Sequence, residues 1–245
     1  MRTTRIYQPG NLSIGAKILL DEAGWRHTCQ VLRLKVGAEF IIFNGDGYDY
    51  AVELVNIGKH QAEVAITDRV KVNKESPLFI HVGQCISRGD RMDFAIQKAV
   101  ELGVNKITPL ISEFSDHTLN AAHLAKRQQH WQQVAISACE QSGRAVLPLV
   151  DPAVNIVTWM EKIDSLMHKF ILNPYAEPED LPSQLNIPQV ALLIGPEGGI
   201  SERELAAAHQ QGFKPLLLGP RILRTETATV AAVSVVQWLW GDGCA

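Results

Sequence analysis

Apolar and polar positions change their rhythm once along the chain. Up to residue 72 the apolar runs are short. Glu39-Phe-Ile-Ile-Phe43 and Tyr48 to Val55 read as strands, and Asn44-Gly-Asp-Gly47 between them carries the Asp-Gly pair that favours a tight hairpin. Gln61 to Val70 alternates Ala62, Val64 and Ile66 with polar neighbours, the period of a half-buried strand. One short helix is expected around Glu22 to Leu32. Several short strands in so few residues predict a small β-barrel.

Val72-Asn-Lys-Glu-Ser-Pro77 is polar, ends in proline and marks a boundary, giving expected domains of 1–73 and 74–245. Beyond it strands and helices alternate. Leu78 to Cys85, Lys106 to Ile111, Phe170 to Leu172, Val190 to Ile194 and Leu216 to Leu218 read as strands. Asp90 to Leu102 is an amphipathic helix with Met92, Ile96, Ala99 and Val100 on one stripe and Gly103 at its end. Ala121 to Gln141, Ser201 to Gln211 and Thr227 to Trp240 are further helices. The alternation predicts an α/β domain with a parallel sheet, whose ligands bind at the carboxyl ends of the strands.

With 46% hydrophobic and 20% charged residues, the 245-residue chain can bury a core. A net charge of -3 excludes a strongly basic coat for nucleic acid. The charge is uneven: residues 1–74 hold 10 Lys and Arg against 8 Asp and Glu, and the remainder hold 13 against 18. Arg2, Arg5, Arg26, Arg33 and Lys35 concentrate early, so the first domain is a candidate nucleic-acid-facing module, set against an ordinary solvated surface. No apolar run reaches the roughly 18 residues of a membrane span. The first ten residues lack the apolar stretch of a secretory leader, and a cytoplasmic location is expected. Cys29, Cys85, Cys139 and Cys244 contain no CxxC pair and are expected to be reduced thiols, and the eight histidines show no ligand spacing, so no metal is expected.

Two strand ends carry unusual loops. Ile194-Gly-Pro-Glu-Gly-Gly-Ile200 precedes the capping box Ser201-Glu-Arg-Glu204. Its spacing is neither GxGxxG nor a Walker A motif, which disfavours a nucleotide-binding enzyme, and Glu197 suits a neutral or cationic ligand. The second loop, Leu218-Gly-Pro-Arg-Ile-Leu-Arg-Thr-Glu-Thr-Ala228, opens the last helix, where Thr225 or Thr227 is expected as the cap. Arg221 and Arg224 within it suit a phosphate or an oxyanion.

Together the two loops resemble the RsmE family of SPOUT methyltransferases. Further blocks fall in the expected order: Arg5-Ile-Tyr7, His27 with Val31-Leu-Arg-Leu34, Ser87-Arg-Gly-Asp90, Gln97-Lys-Ala-Val-Glu-Leu-Gly103, Thr108-Pro109, Ser112-Glu113 and Cys139-Glu-Gln-Ser-Gly-Arg144. One position departs: Phe114 stands where the family usually has arginine. The resemblance implies a PUA-like barrel that holds RNA, a catalytic domain with a C-terminal trefoil knot, and a homodimer, with Trp238 and Trp240 suited to the subunit interface. It implies methylation of uridine N3 in 16S ribosomal RNA, with S-adenosylmethionine as cofactor and S-adenosylhomocysteine as product; the expected partner is that RNA in the assembled small subunit, with naked RNA as the alternative.

By the same resemblance, Leu172, Asn173, Pro174, Gly195, Pro196, Glu197, Gly198, Gly199, Leu218, Gly219, Ile222, Leu223 and Thr225 form the cofactor site. Arg224 is the expected stabiliser of the uracil anion, Glu226 and more weakly Glu197 the candidates for proton removal or for orienting it. Arg5, Arg26, Arg33, Arg88 and Arg144 are the expected RNA contacts. The alternative is a noncatalytic ribosomal RNA-binding factor on the same fold.

Overall fold

The computed structural model describes residues 4–115, 120–177 and 180–243, leaving Arg2 and Cys244 outside. The chain forms two compact units, one running to Glu75 and including Cys139–Leu147, the other holding the rest. The boundary expected at 73/74 therefore falls at 75/76, and Cys139–Leu147 joins the first unit.

In the first unit, β1 (Arg5–Tyr7) pairs parallel to β3 (Glu39–Phe43). β3 turns into β4 (Tyr48–Ile57), β4 pairs with β5 (Ala62–Lys71), and β2 (Lys17–Leu19) adds to β5, giving the order β1-β3-β4-β5-β2. The alternation has a cause: Val52, Leu54, Ala62, Val64 and Ile66 all enter one core with Ile6, Phe40, Ile42, Tyr50 and Trp25. The hairpin turns on Gly45 and Gly47, with φ of 96° and 92°, as a left-handed backbone demands. Asp46 braces it by accepting from the Tyr48 amide at 3.0 Å and the Tyr50 hydroxyl at 2.7 Å.

The expected helix is two pieces. α1 (Glu22–Trp25) is capped by Asp21, whose carboxylate accepts from the Gly24 amide at 2.7 Å, and it widens into a π-helical turn over Arg26–Val31. Arg33 follows at φ 52°, the only non-glycine residue with positive φ among the described residues.

The second unit holds a parallel sheet whose strands lie in the order Lys214–Pro215, His168–Ile171, Gln189–Ile194, Phe79–Cys85, Lys106–Ile111 and Leu149–Val150, with Val154–Asn155 also on Lys106–Ile111. Its strands are β6 (Phe79–Cys85), β7 (Lys106–Ile111), β8 (Leu149–Val150), β9 (Val154–Asn155), β10 (His168–Ile171), β11 (Gln189–Ile194) and β12 (Lys214–Pro215). Its helices are α2 (Arg91–Glu101), α3 (Ala121–Ser142, whose last turn counts with the first unit), α4 (Ile156–Lys162), α5 (Glu202–Gln210) and α6 (Thr225–Trp240). β11 is buried from Val190 to Ile194 because both sides are covered: Ala191 and Leu193 meet Trp159, Met160 and Ala208 of α4 and α5, and α6 packs on the strand as well. Gly83 in β6 is required by close approach, since a Cβ there would stand 2.5 Å from the Trp159 ring.

Three expectations shift. The strand expected at Leu216–Leu218 is instead β12, Lys214–Pro215: pairing ends once the Leu216 amide bonds the Ile171 carbonyl at 2.9 Å, and the next residues leave the sheet. Similarly β10 stops at Ile171, so Leu172 belongs to a loop. The last helix begins at Thr225 with Arg224 at its N-cap, and neither Thr225 nor Thr227 caps it, because the Thr225 hydroxyl is committed to the Gly195 carbonyl at 2.8 Å.

Candidate functional site

Where β10, β11 and β12 end, their loops enclose a cavity of about 510 Å³. Leu172–Pro174 follows β10, Gly195–Gly199 follows β11, and Leu218, Gly219, Ile222 and Leu223 follow β12. Thr225 lies on the first turn of α6. Every residue assigned to the cofactor site from the sequence lines this one cavity, as does Arg224. The sequence reading missed Arg91 and Tyr175, which also line it; Arg221, read as suited to a phosphate or an oxyanion, lines it too. The first residue of an amphipathic helix and an isolated tyrosine in a loop carry no local signal.

The loop after β11 is held at both ends. Gly199, at φ 81°, lets its amide turn back to the Pro196 carbonyl at 3.0 Å. Ser201 and Glu204 form the expected capping box, and the Glu204 carboxylate also accepts from the Glu113 amide at 2.8 Å. Phe114, 52% exposed, then lies against Gly198, so that a Cβ on the glycine would be 3.0 Å from the phenylalanine Cβ. On the other side Gln84, at the end of β6, donates to the Thr225 hydroxyl at 2.9 Å and accepts from the Thr229 hydroxyl at 2.5 Å.

Charge at the cavity is uneven. Glu197 accepts from Arg91 Nη1 at 2.8 Å and from the Arg88 amide at 3.3 Å. Burial pushes its carboxyl up, but its own amide, Arg91 and the Arg88 amide together outweigh burial and hold it below the usual carboxylate range. It is therefore a poor proton acceptor, and its charge is matched by Arg91 rather than free for a cationic ligand. Glu226 does not line the cavity; its Oε2 is buried with no hydrogen-bond partner among the described residues. Arg221 and Arg224 are exposed, and among the described residues neither guanidinium has a hydrogen-bond or ion-pair partner. Two free cations thus face the opening.

Of the expected RNA contacts, two are engaged by partners within the first unit. Arg5 bonds the Asp49 carboxylate at 2.6 and 3.1 Å and the carbonyls of Cys139 and Arg144 at 2.8 and 3.2 Å, and its guanidinium lies over the Phe43 ring. The Arg144 side chain is 3% exposed and forks onto the Glu75 carboxylate. Both hold the first unit together: four of the five N–H donors of Arg5 are spent on these partners, and the Arg144 side chain is buried on Glu75. Arg26 remains exposed, in a pair with Glu22 one turn away. Arg33 is exposed between the exposed apolar residues Val31, Leu32 and Val36. Arg88 is exposed in the second unit. Of the two tryptophans expected at a subunit interface, Trp240 is half-buried, stacks on Phe170 at 5.4 Å and donates to the Pro182 carbonyl at 3.0 Å, whereas Trp238 is exposed. Among the described residues no group of three or more His, Cys, Asp or Glu gathers to hold a metal, and no helix is long and apolar enough to cross a membrane.

Comparison with known proteins matches this geometry. Residues 74–237 match the model of an RNA methyltransferase domain, and residues 20–67 that of an RNA methyltransferase PUA domain. The chain is 40% identical over 243 residues, 98% of each chain, to the ribosomal RNA small subunit methyltransferase E of Buchnera aphidicola subsp. Schizaphis graminum. A putative methyltransferase of Legionella pneumophila, solved with SAM bound, superposes with a TM-score of 0.94 at 41% identity, covering 99% of this chain and 100% of that one. A ribosomal RNA small subunit methyltransferase E of Neisseria gonorrhoeae, bound to S-adenosyl methionine, gives 0.90 at 40% identity, covering 98% and 99%.

Proposed function

The chain belongs to the RsmE family of RNA methyltransferases, and on that premise we propose that it uses S-adenosylmethionine to methylate N3 of one uridine in the 16S RNA of the small ribosomal subunit. The observation that carries the reading is the cavity at the strand ends: its walls are the loops singled out from the sequence, and its volume, about 510 Å³, lies within the range of small-molecule sites. Its donor set also fits the cofactor. Glycine and proline backbone with the apolar Leu172, Leu218 and Leu223 suits an adenosine. Bound there, S-adenosylmethionine supplies an electrophilic methyl group.

The chain's residues do the rest. Uracil N3 carries a proton, and its loss puts negative charge on the flanking carbonyl oxygens. Arg224 projects from the N-cap of α6, where its unpaired guanidinium is joined by the positive end of the helix. Placed against those oxygens, it favours the uracil anion, so that no strong base is needed. This suits a site in which Glu197 is held ionised by Arg91 and Glu226 lies outside the lining. Holding the two reactants in line supplies much of the rate.

In this reading Arg26 and Arg33 of the PUA-like unit and Arg88 and Arg221 of the catalytic unit contact phosphates. Two copies pair through the less buried side of α6, which carries Val230, Ala231, Val235 and Trp238. The loops after β11 and β12 form the trefoil knot, and the protein works in the cytoplasm on the assembled subunit. The noncatalytic alternative, resting on Phe114, is not favoured: Phe114 leaves the cavity intact and packs on Gly198 at its wall. Incubating the protein with methyl-labelled S-adenosylmethionine and small subunits from a strain lacking the gene tests the reading. Nucleoside analysis should find the label in 3-methyluridine of 16S RNA; label in another nucleoside, or none, overturns it.

A further inference from the structure

The cavity wall is held by a side chain that does not line it. Gln84 is 1% exposed, at the carboxyl end of β6. Its amide nitrogen donates to the Thr225 hydroxyl at 2.9 Å and the Cys85 carbonyl at 3.2 Å, and its oxygen accepts from the Thr229 hydroxyl at 2.5 Å. The orientation is forced. A threonine hydroxyl has one hydrogen, and that of Thr225 goes to the Gly195 carbonyl at 2.8 Å, so its oxygen must accept from Gln84. The chain of donors therefore runs in one direction, from Thr229 to Gln84, from Gln84 to Thr225, and from Thr225 to Gly195. It joins three elements distant in sequence: β6, the loop after β11 and the first turn of α6. Thr225 is also the residue next to Arg224, so the bond that fixes the Gly195 carbonyl also fixes the backbone from which Arg224 projects.

We infer that Gln84 is a positioning residue for methyl transfer, acting through the Thr225 hydroxyl to keep the Gly195 wall of the cofactor cavity in register with Arg224. This rests on the methyltransferase reading of the cavity. Gln84 does not line the cavity; it sets the distance between the wall that would hold the cofactor and the guanidinium that would receive the uracil. A small misplacement of reacting groups costs rate steeply, by as much as about 10²-fold for 1 Å. A fully hydrogen-bonded buried amide is a stiff way to prevent it.

The test uses the full-length protein and small subunits lacking the modification, at a temperature where circular dichroism shows each variant folded. Gln84→Met keeps the shape and removes all three side-chain hydrogen bonds. It should lower kcat by about 10²-fold and weaken S-adenosylmethionine binding about tenfold by calorimetry, with KM for the subunit within about twofold of wild type. A merely structural glutamine predicts a lower melting temperature with unchanged kcat and cofactor affinity in the folded protein, and that result overturns the inference. In a Thr225→Val background Gln84→Met should cost less than about twofold further, because the path is already cut; full additivity also overturns it. Should Gln84→Met fail to fold, Thr229→Val, which removes the partner of the Gln84 oxygen along with the Thr229 hydroxyl's second bond, to the Thr225 carbonyl at 2.9 Å, should lower kcat and cofactor affinity in the same direction, and unchanged values for both refute it. If wild type itself binds no S-adenosylmethionine, the methyltransferase reading fails first and the inference falls with it; if wild type binds and the variants match it, the inference alone fails.

Discussion

Replacing Arg5 by alanine separates two roles that an early arginine can have. Its guanidinium makes two bonds to Asp49, at 2.6 and 3.1 Å, and one each to the carbonyls of Cys139 and Arg144. The Arg5 side chain is 10% exposed and that of Asp49 19%. Arg5→Ala leaves a largely buried carboxylate without its cation and takes one donor from each of two carbonyls, of which that of Cys139 keeps the Gly143 amide at 3.0 Å. Removing one partner of a buried pair costs about 3–5 kcal/mol, and the residual exposure of Asp49 places the expectation near the lower end, about 3 kcal/mol. Urea denaturation followed by circular dichroism measures it. RNA binding titrated across salt concentrations supplies the contrast. Arg5→Ala should leave the slope of log K against log salt unchanged, whereas Arg33→Ala should flatten it by about 0.7–0.9, the loss of one phosphate contact. An Arg5→Ala protein within about 0.5 kcal/mol of wild type stability whose salt slope falls by about one unit would refute the structural role.

Two other expectations concern catalysis and pH. Arg224→Ala should lower kcat by about 10²–10³-fold and leave the Kd for S-adenosylmethionine within about twofold; unchanged turnover removes Arg224 from the mechanism. His81 is buried between Thr108 and Trp159, bonding the Thr108 hydroxyl at 2.8 Å. Burial first, and Lys106 second, push it down to about 4 against the opposing pull of Asp151. The unfolded chain therefore binds the extra proton between pH about 6.5 and 4, so His81 contributes fully above that window and stability falls as pH drops through it, by on the order of 3 kcal/mol. His81→Gln should flatten stability against pH across this interval, and an unaltered slope contradicts the assignment.

The cavity was legible in the sequence because its determinants are local. Gly195 to Gly199 follows an apolar strand and Leu218 to Thr225 a short apolar run, each with glycine or proline at the bend and a helix after it, and short-range pattern reveals these, although it misplaces the strand before the second loop. Charged side chains were read less well, because what an arginine does depends on partners far along the chain. Arg5 finds Asp49 44 residues away, Arg144 finds Glu75 69 away, and Arg91 finds Glu197 106 away. The same distance explains Thr225, which reads locally as a helix cap and is used by a carbonyl 30 residues back. β8, β9 and β12 are two residues each, ordered by parallel neighbours rather than by any period of their own.

Methylation of uridine N3 blocks Watson–Crick pairing, so reverse transcriptase stops beside the modified base. Primer extension along 16S RNA from cells with the gene, from cells without it, and from deleted cells complemented with wild type or Arg224→Ala tests the central claim most directly. A single stop at one uridine should be present with the gene, vanish on deletion, return with wild type and stay absent with Arg224→Ala. A stop that persists in the deletion strain would contradict the account.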